Sequence, residues 1–199
     1  MKKNNIILIL LVAFLVRILL LIIQYNFTNL PQAGADSVRF ERNAYEMINA
    51  GSNLSFFETL SNGAHLHAYI GSIIYSFVGR EPILWSLFFI FLGLVTIFNI
   101  YRSVYLITNS FTVANRSAWI ACFFPNLAIF SVILLREIYI HFFLSLAVFF
   151  LIKYIKSKNI TFLLFSFVLG LIGSIFHTAV FSFFFGFIFV YFISVLVFV

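Results

Sequence analysis

Apolar residues in this chain fall in long runs separated by short polar punctuation. The first run extends from Ile6 to Ile23 and is interrupted only by Arg17. Further runs cover Pro82 to Tyr101, Ala118 to Leu135, Ile138 to Ile152, Ile160 to Phe176 and Thr178 to Val199. Each is near the roughly 20 residues a helix needs to cross a bilayer, so the pattern predicts an all-α, polytopic transmembrane helix bundle with about six spans. A shorter run, Ala68 to Val78, has only about half the residues required for the ~30 Å hydrocarbon core. The first run imitates a signal peptide, but it is too long for an apolar signal core and no small-residue cleavage site follows it. It therefore reads as an uncleaved membrane helix.

Charge placement decides how the short run lies. If Ala68–Val78 crossed, Arg102, Arg116 and the cluster Lys153, Lys156 and Lys158 would be outside, against the rule that basic residues stay cytoplasmic. If it instead lies along the outer face, all of these join Lys2 and Lys3 inside. Every acid of the chain, Asp36, Glu41, Glu46, Glu58, Glu81 and Glu137, then faces outward. The second arrangement places the N-terminus in the cytoplasm and makes residues 24–81 a long outer loop. Loops of that length in a compact protein usually carry function. Within it, Asp36 to Ala50 has helical periodicity, with Phe40, Ala44, Met47 and Ile48 on one face and Arg39, Arg42, Asn43 and Glu46 on another. This predicts amphipathic juxtamembrane helices in the first outer loop, the first ending near Gly51. Residues 1–199 form a single transmembrane domain, and the end of the chain inside an apolar run at Val199, with no flanking Lys or Arg, is what a truncated segment would show.

Composition narrows the class. Hydrophobic residues make up 63% of the chain and charged residues 9%, with a mean hydropathy of +1.12. A soluble domain carries roughly a quarter of its residues charged, so soluble enzymes and disordered tails are excluded. The formal charge of +6 forms no basic face and marks topology, so nucleic acid is not a partner. The single Cys122 admits neither an intrachain disulfide nor a cysteine metal site. Heavy use of Phe, Ile, Asn and Lys points to an AT-rich genome and a bacterial plasma membrane.

Few residues carry chemistry. Asp36 is an N-cap for its helix, a general base or metal ligand at a water-facing cavity edge, or both. Arg136 and Glu137 stand side by side at an outer junction, where charges are costly unless they face a cavity or a partner. Adjacent helical residues do not face each other, so Arg136 is expected to meet an acid of the outer loop or a lipid-linked phosphate. Arg17, inside the first span, likewise calls for a phosphate or carboxylate. His65 and His67 would face one way on a strand and His177 lies on the same outer side, a weak metal signal. His141, within a span, is expected to hydrogen-bond to a neighbouring helix. No phosphate loop, dinucleotide fingerprint or Ser-His-Asp arrangement is visible.

The order of these features resembles membrane glycosyltransferases of the C-type superfamily, nearest to the protein mannosyltransferase and aminoarabinose transferase branch. The likeness runs from Asp36-x-x-x-Phe40-x-x-x-Ala44 to Gly51, through Tyr69-Ile70-Gly71, Tyr75-Ser76-Phe77-Val78-Gly79 and Pro82. It continues through Leu87, Gly93, Leu94, Thr96 and Tyr101-Arg102 to Arg116, Ala118, Pro125 and Leu135-Arg136-Glu137. The resemblance implies transfer of a sugar from a polyprenyl-phosphate donor to a glycan, lipid or protein acceptor on the outer face, among membrane lipids. It implies Asp36 as catalytic base with Glu137 assisting. It implies Arg136, with Arg17, Arg39, Tyr69 and His177, as substrate-binding residues, with a divalent metal as an optional cofactor. Alternatives are a polysaccharide polymerase or ligase of O-antigen or exopolysaccharide type, relying more on arginines and His177, and a non-enzymatic transport or assembly subunit. An outward-open cavity lined by Asp36, Arg136 and Arg17 would favour transfer; acids pointing into bulk water would favour assembly.

Overall fold

The computed structural model describes residues 5–49, 62–182 and 186. Among these residues the chain is helical throughout, with no strand: α1 (Ile6–Asn26), α2 (Ala35–Asn49), α3 (Gly63–Val78), α4 (Pro82–Thr108), α5 (Phe111–Phe123), α6 (Pro125–Phe130), α7 (Glu137–Ser157), α8 (Ile160–Phe176) and a 3-10 turn at Thr178–Phe181. Three helices, α1, α4 and α7, are long and apolar enough to cross a membrane, and α8 is a shorter apolar helix. Six spans are therefore not confirmed.

Side-chain contacts give the helix directions. Tyr25 meets Ser86 and Arg17 lies against Gly93, so α1 and α4 are antiparallel. Phe89 meets Tyr139, Asn99 donates to Ser145, and Arg102 lies over Phe149, so α4 and α7 run parallel. Ser166 of α8 donates to the Ala147 carbonyl of α7 while Phe176 stacks on Tyr139, so those two are antiparallel. The result segregates charge as the pattern predicts. Arg102, Lys153, Lys156 and Lys158 collect at one end, called here the basic end, and Glu41, Arg80, Glu81, Arg136 and Glu137 at the other, the head.

Local signals explain the breaks. The two turns at the basic end are built alike. A left-handed residue, Asn109 at φ 50° or Lys158 at φ 57°, closes one helix, and the side chain of the next residue, Ser110 or Asn159, caps the following one. At the head, Gly79 at φ 80° ends α3 and Pro82 occupies the first turn of α4.

The run Ala118–Leu135 corrects the sequence reading, because it is not one helix. Pro125 lacks an N–H and forces Phe124 into an extended conformation (ψ 115°), so α5 stops at Phe123 and α6 restarts as a short helix. Residues 131–136 then pass to α7 without forming a helix. In contrast, α4 outlasts its apolar run by about two turns, since nothing between Tyr101 and Asn109 breaks a helix. The expected run Thr178–Val199 begins as the 3-10 turn, and its remainder, apart from Ser182 and Gly186, lies outside the described residues, as do Lys2, Lys3, Gly51 and Glu58.

The short run Ala68–Val78 is the later part of α3, which packs against α8 and α4. At its start, Gly63 abuts the backbone of Ile175 and Phe176 at the end of α8; half-way along, Gly71 sits on the Trp85 ring of α4. A Cβ at Gly71 would lie 2.3 Å from that ring, so glycine is what lets α3 cross over the head. Helix α2 packs on α3 through a face of Ser37, Phe40 and Ala44, with Tyr45 and Met47 partly buried. That face is rotated slightly from the predicted one, and Ile48 is exposed.

Candidate functional site at the head of the bundle

A cleft of about 250 Å³ opens at the head between the end of α1, the segment after it, α2 and the start of α4. Glu41 and Arg80 dominate its polar wall. Arg80 donates from Nε to Glu41 Oε1 at 2.9 Å and from Nη2 to Oε2 at 2.8 Å, a bidentate pair. The Tyr75 hydroxyl donates to the same Oε1 at 3.2 Å, and the guanidinium lies 4.3 Å over the Tyr45 ring. Arg80 thereby holds the Glu41 carboxyl below its usual range, against the opposing effect of partial burial, and Glu41 in turn raises the Arg80 pKa. Burial and the nearby Glu41 charge push the Tyr75 phenol up. Tyr25 and Ser86 pair at 3.4 Å below, and Ser37, Val38 and Leu134 complete the wall. None of Glu41, Arg80, Tyr25 and Ser86 was singled out from sequence. The signal available was the register of α2, which places Glu41 one residue after the buried Phe40 and four after Ser37.

Asp36 lies beside this cleft rather than in it. It is the second residue of α2, not the cap, since α2 begins at Ala35. Its carboxylate pairs with Arg39 at 3.2 Å, and both side chains are largely exposed, at 67% and 61%. An acid in the first turn suits the positive end of the helix dipole. Arg39 also lies 5.3 Å over the Phe40 ring.

Arg17 is elsewhere. Its side chain is wholly buried in the bundle, and the partner expected from sequence, a phosphate or carboxylate, is not what holds it. Nε donates to Ser131 Oγ at 2.9 Å, and Nη1 to the carbonyls of Ala13 at 3.1 Å and Cys122 at 3.3 Å; Nη2 has no partner among the described residues. Ser131 donates in turn to the carbonyls of Leu127 or Ala128. The guanidinium thus sits between the C-terminal ends of α5 and α6, whose exposed carbonyls and aligned dipoles supply negative potential without an acid. The break at Pro125 creates the first of those ends. Gly93 leaves the room, as a Cβ there would come within 2.7 Å of Ser131 and 3.3 Å of Arg17.

The histidines do not converge. His65 and His67 sit on a helix rather than a strand, so two residues turn them to different sides. His67 is wholly buried among Phe40, Trp85, Phe89 and Tyr139, with ring centroids 4.8 to 5.8 Å away. Neither of its nitrogens makes a well-formed hydrogen bond. Burial pushes its pKa down to about 3, and the Arg136 charge adds to this while the Leu134 backbone opposes it. His177 is exposed and accepts from the Ala179 N–H at 3.2 Å as the cap of the 3-10 turn. His141 differs from expectation: its Nδ1 has no hydrogen-bond partner, and Phe130 lies 5.7 Å away.

Arg136 is the N-cap residue of α7, but its side chain makes no cap hydrogen bond and pairs with no acid among the described residues, although its charge reaches His67. One oxygen of Glu137, Oε2, is buried without a partner. Tyr69 is exposed on α3. Among the described residues no three His, Cys, Asp or Glu side chains gather to hold a metal ion. The structure thus brings Asp36 and Arg39 together at the cleft edge and Arg136 with Glu137 at the start of α7. It leaves Arg17 in the interior and His177 at the end of α8. No family model, curated protein or solved structure matches this chain.

Proposed function

We propose that the chain is the membrane core of a glycosyltransferase that moves a sugar from a polyprenyl-phosphate donor to an acceptor at the head of the bundle. In this reading the basic end is cytoplasmic and the membrane is the bacterial plasma membrane. The observation that carries it is the head cleft: an apolar bundle gathers the Glu41–Arg80 pair and the hydroxyls of Tyr25 and Ser37 around one opening, with the water-exposed Asp36–Arg39 pair at its edge. Asp36 is exposed enough to take the proton from an acceptor hydroxyl as that oxygen attacks the anomeric carbon. The bond from that carbon to the donor phosphate breaks, and the phosphate leaves with the electron pair. Arg39 and Arg80 are within the same region to stabilise its growing charge, as the resemblance suggests for Arg136.

The experiment is transfer of radiolabelled sugar from polyprenyl phosphate in membranes from cells expressing the wild type or Asp36→Asn at matched levels. Loss of about a hundredfold or more in the variant, with insertion intact, is expected of a general base. Equal transfer in both removes Asp36 from the reaction. One observation favours a second reading, an assembly subunit without activity: Asp36 and Arg39 face water and pair with each other, and the cleft is not lined by Asp36, Arg136 and Arg17 together. Absence of transfer in wild-type membranes, with recovery of a stable partner through the α2 surface, would select it.

A further inference from the structure

The half of the bundle nearer the basic end carries a furrow that the head chemistry does not use. A groove of about 510 Å³ runs along α4 from Thr96 to Ile107 and along α7 from His141 to Ile152. A second, of about 380 Å³, shares Ile100, Val104, Phe124 and Leu127 with it and continues onto α5. The extent on either long helix is about 16 Å at 1.5 Å per residue. That is half of the ~30 Å hydrocarbon thickness, the depth of one leaflet. The lining is mostly apolar: the hydroxyls of Thr96, Ser117 and Ser145 are each spent on a carbonyl of their own helix, and Ser103 and His141 are its remaining polar residues. Water gains little from such a site, and leaving it empty forfeits dispersion contacts along three helices.

Two cations flank the mouth at the basic end. Arg116 lies four residues before Ile120, which lines the second groove, and Lys156 lies four residues after Ile152, which lines the first. Each therefore shares a helix face with a groove residue. Both are exposed, and neither pairs with an acid among the described residues. Apolar depth of one leaflet with unpaired positive charge at its membrane-surface end is the complement of an anionic lipid. We infer that this furrow binds an anionic phospholipid of the leaflet at the basic end, its hydrocarbon chain between α4 and α7 and its phosphate between Arg116 and Lys156. The inference depends on the chain being embedded in a bilayer and is independent of sugar transfer.

The full chain is reconstituted in equimolar phosphatidylglycerol and phosphatidylcholine, with one of the two carrying a photoactivatable group in its tail, and labelled peptides are mapped. Phosphatidylglycerol is expected to label the groove-facing peptides of α4 and α7 about threefold more than phosphatidylcholine, falling to parity in Arg116→Gln/Lys156→Gln. Both substitutions are on the surface and leave the core intact, and Arg116→Lys is expected to keep the preference. Equal labelling by the two lipids in the wild type would overturn the inference. So would crosslinks showing that residues 187–199 or a second copy of the chain occupies the furrow in place of lipid.

Discussion

Two arginines of this chain solve the same problem in opposite ways. Arg80 at the head meets a carboxylate, Glu41, in a bidentate pair next to water. Arg17 has no acid and is wholly buried, yet the ends of two broken helices and one serine receive it. The difference follows from dielectric. At the surface a full opposite charge costs little to hold and contributes little. In the interior a second ion would bring its own desolvation penalty, whereas carbonyls already stranded by a helix break are there to be satisfied. Arg17 is thus the interior's way of closing the gap that Pro125 opens, and Arg80 is part of a cleft that water can reach.

Substitutions at the two arginines separate volume from charge. Arg17→Ala leaves a large buried void and is expected to cost about 2–5 kcal/mol, measured by denaturant titration in detergent micelles. Arg17→Met keeps the volume and loses the charge, and is expected to cost less than about 1.5 kcal/mol. Should Met prove as damaging as Ala, the charge itself holds the α5–α6 break together. If Met folds normally but abolishes sugar transfer, Arg17 belongs to the chemistry and the division between interior and head fails.

A smaller effect comes from His67, on the buried face of α3 between the two regions. Its folded pKa of about 3 is below the unfolded value near 6.5, so the unfolded chain takes up a proton before the folded one does. Stability is therefore complete above the unfolded pKa and declines as pH falls from about 6.5 towards 3, by up to about 1.4 kcal/mol per pH unit. Thermal unfolding in detergent between pH 7 and pH 5 measures the slope. His67→Phe is expected to flatten it, and an unchanged slope would place the titrating group elsewhere.

The smallest effect on the fold is expected from Glu41→Gln. The pair is open to water, so melting should barely move at neutral pH. Because Arg80 depresses the Glu41 pKa, what the pair does contribute is present above the unfolded carboxylate pKa and fades as pH drops through the folded one. The proposed sugar transfer, by contrast, should fall more than stability, since the substitution frees Arg80 from its partner in the cleft wall. Equal losses in both would make Glu41 and Arg80 a structural clasp between α2 and the start of α4.

Much of this architecture is written in the order of residues. Apolar run length marks α1, α4 and α7, Pro82 and Gly79 mark the joint at the head, and the sorting of acids from bases predicts which ends of the helices lie together. Those features are local or one-dimensional, set by propensity and by the cost of burying charge. The Pro125 break was also legible, but hydropathy counts residues without regard to the missing N–H, so Ala118–Leu135 read as a span. What only the tertiary structure decided is which polar groups meet. Arg17 and Ser131 are 114 positions apart, and Glu41 and Arg80 are 39 apart. Asp36, prominent in sequence, turned to water with Arg39, while the less conspicuous Glu41 turned inward. A one-residue rotation along a helix exchanges a buried position for an exposed one. That choice is made by the packing of Phe40 and Ala44 against α3 and the bundle, over distances no local pattern encodes.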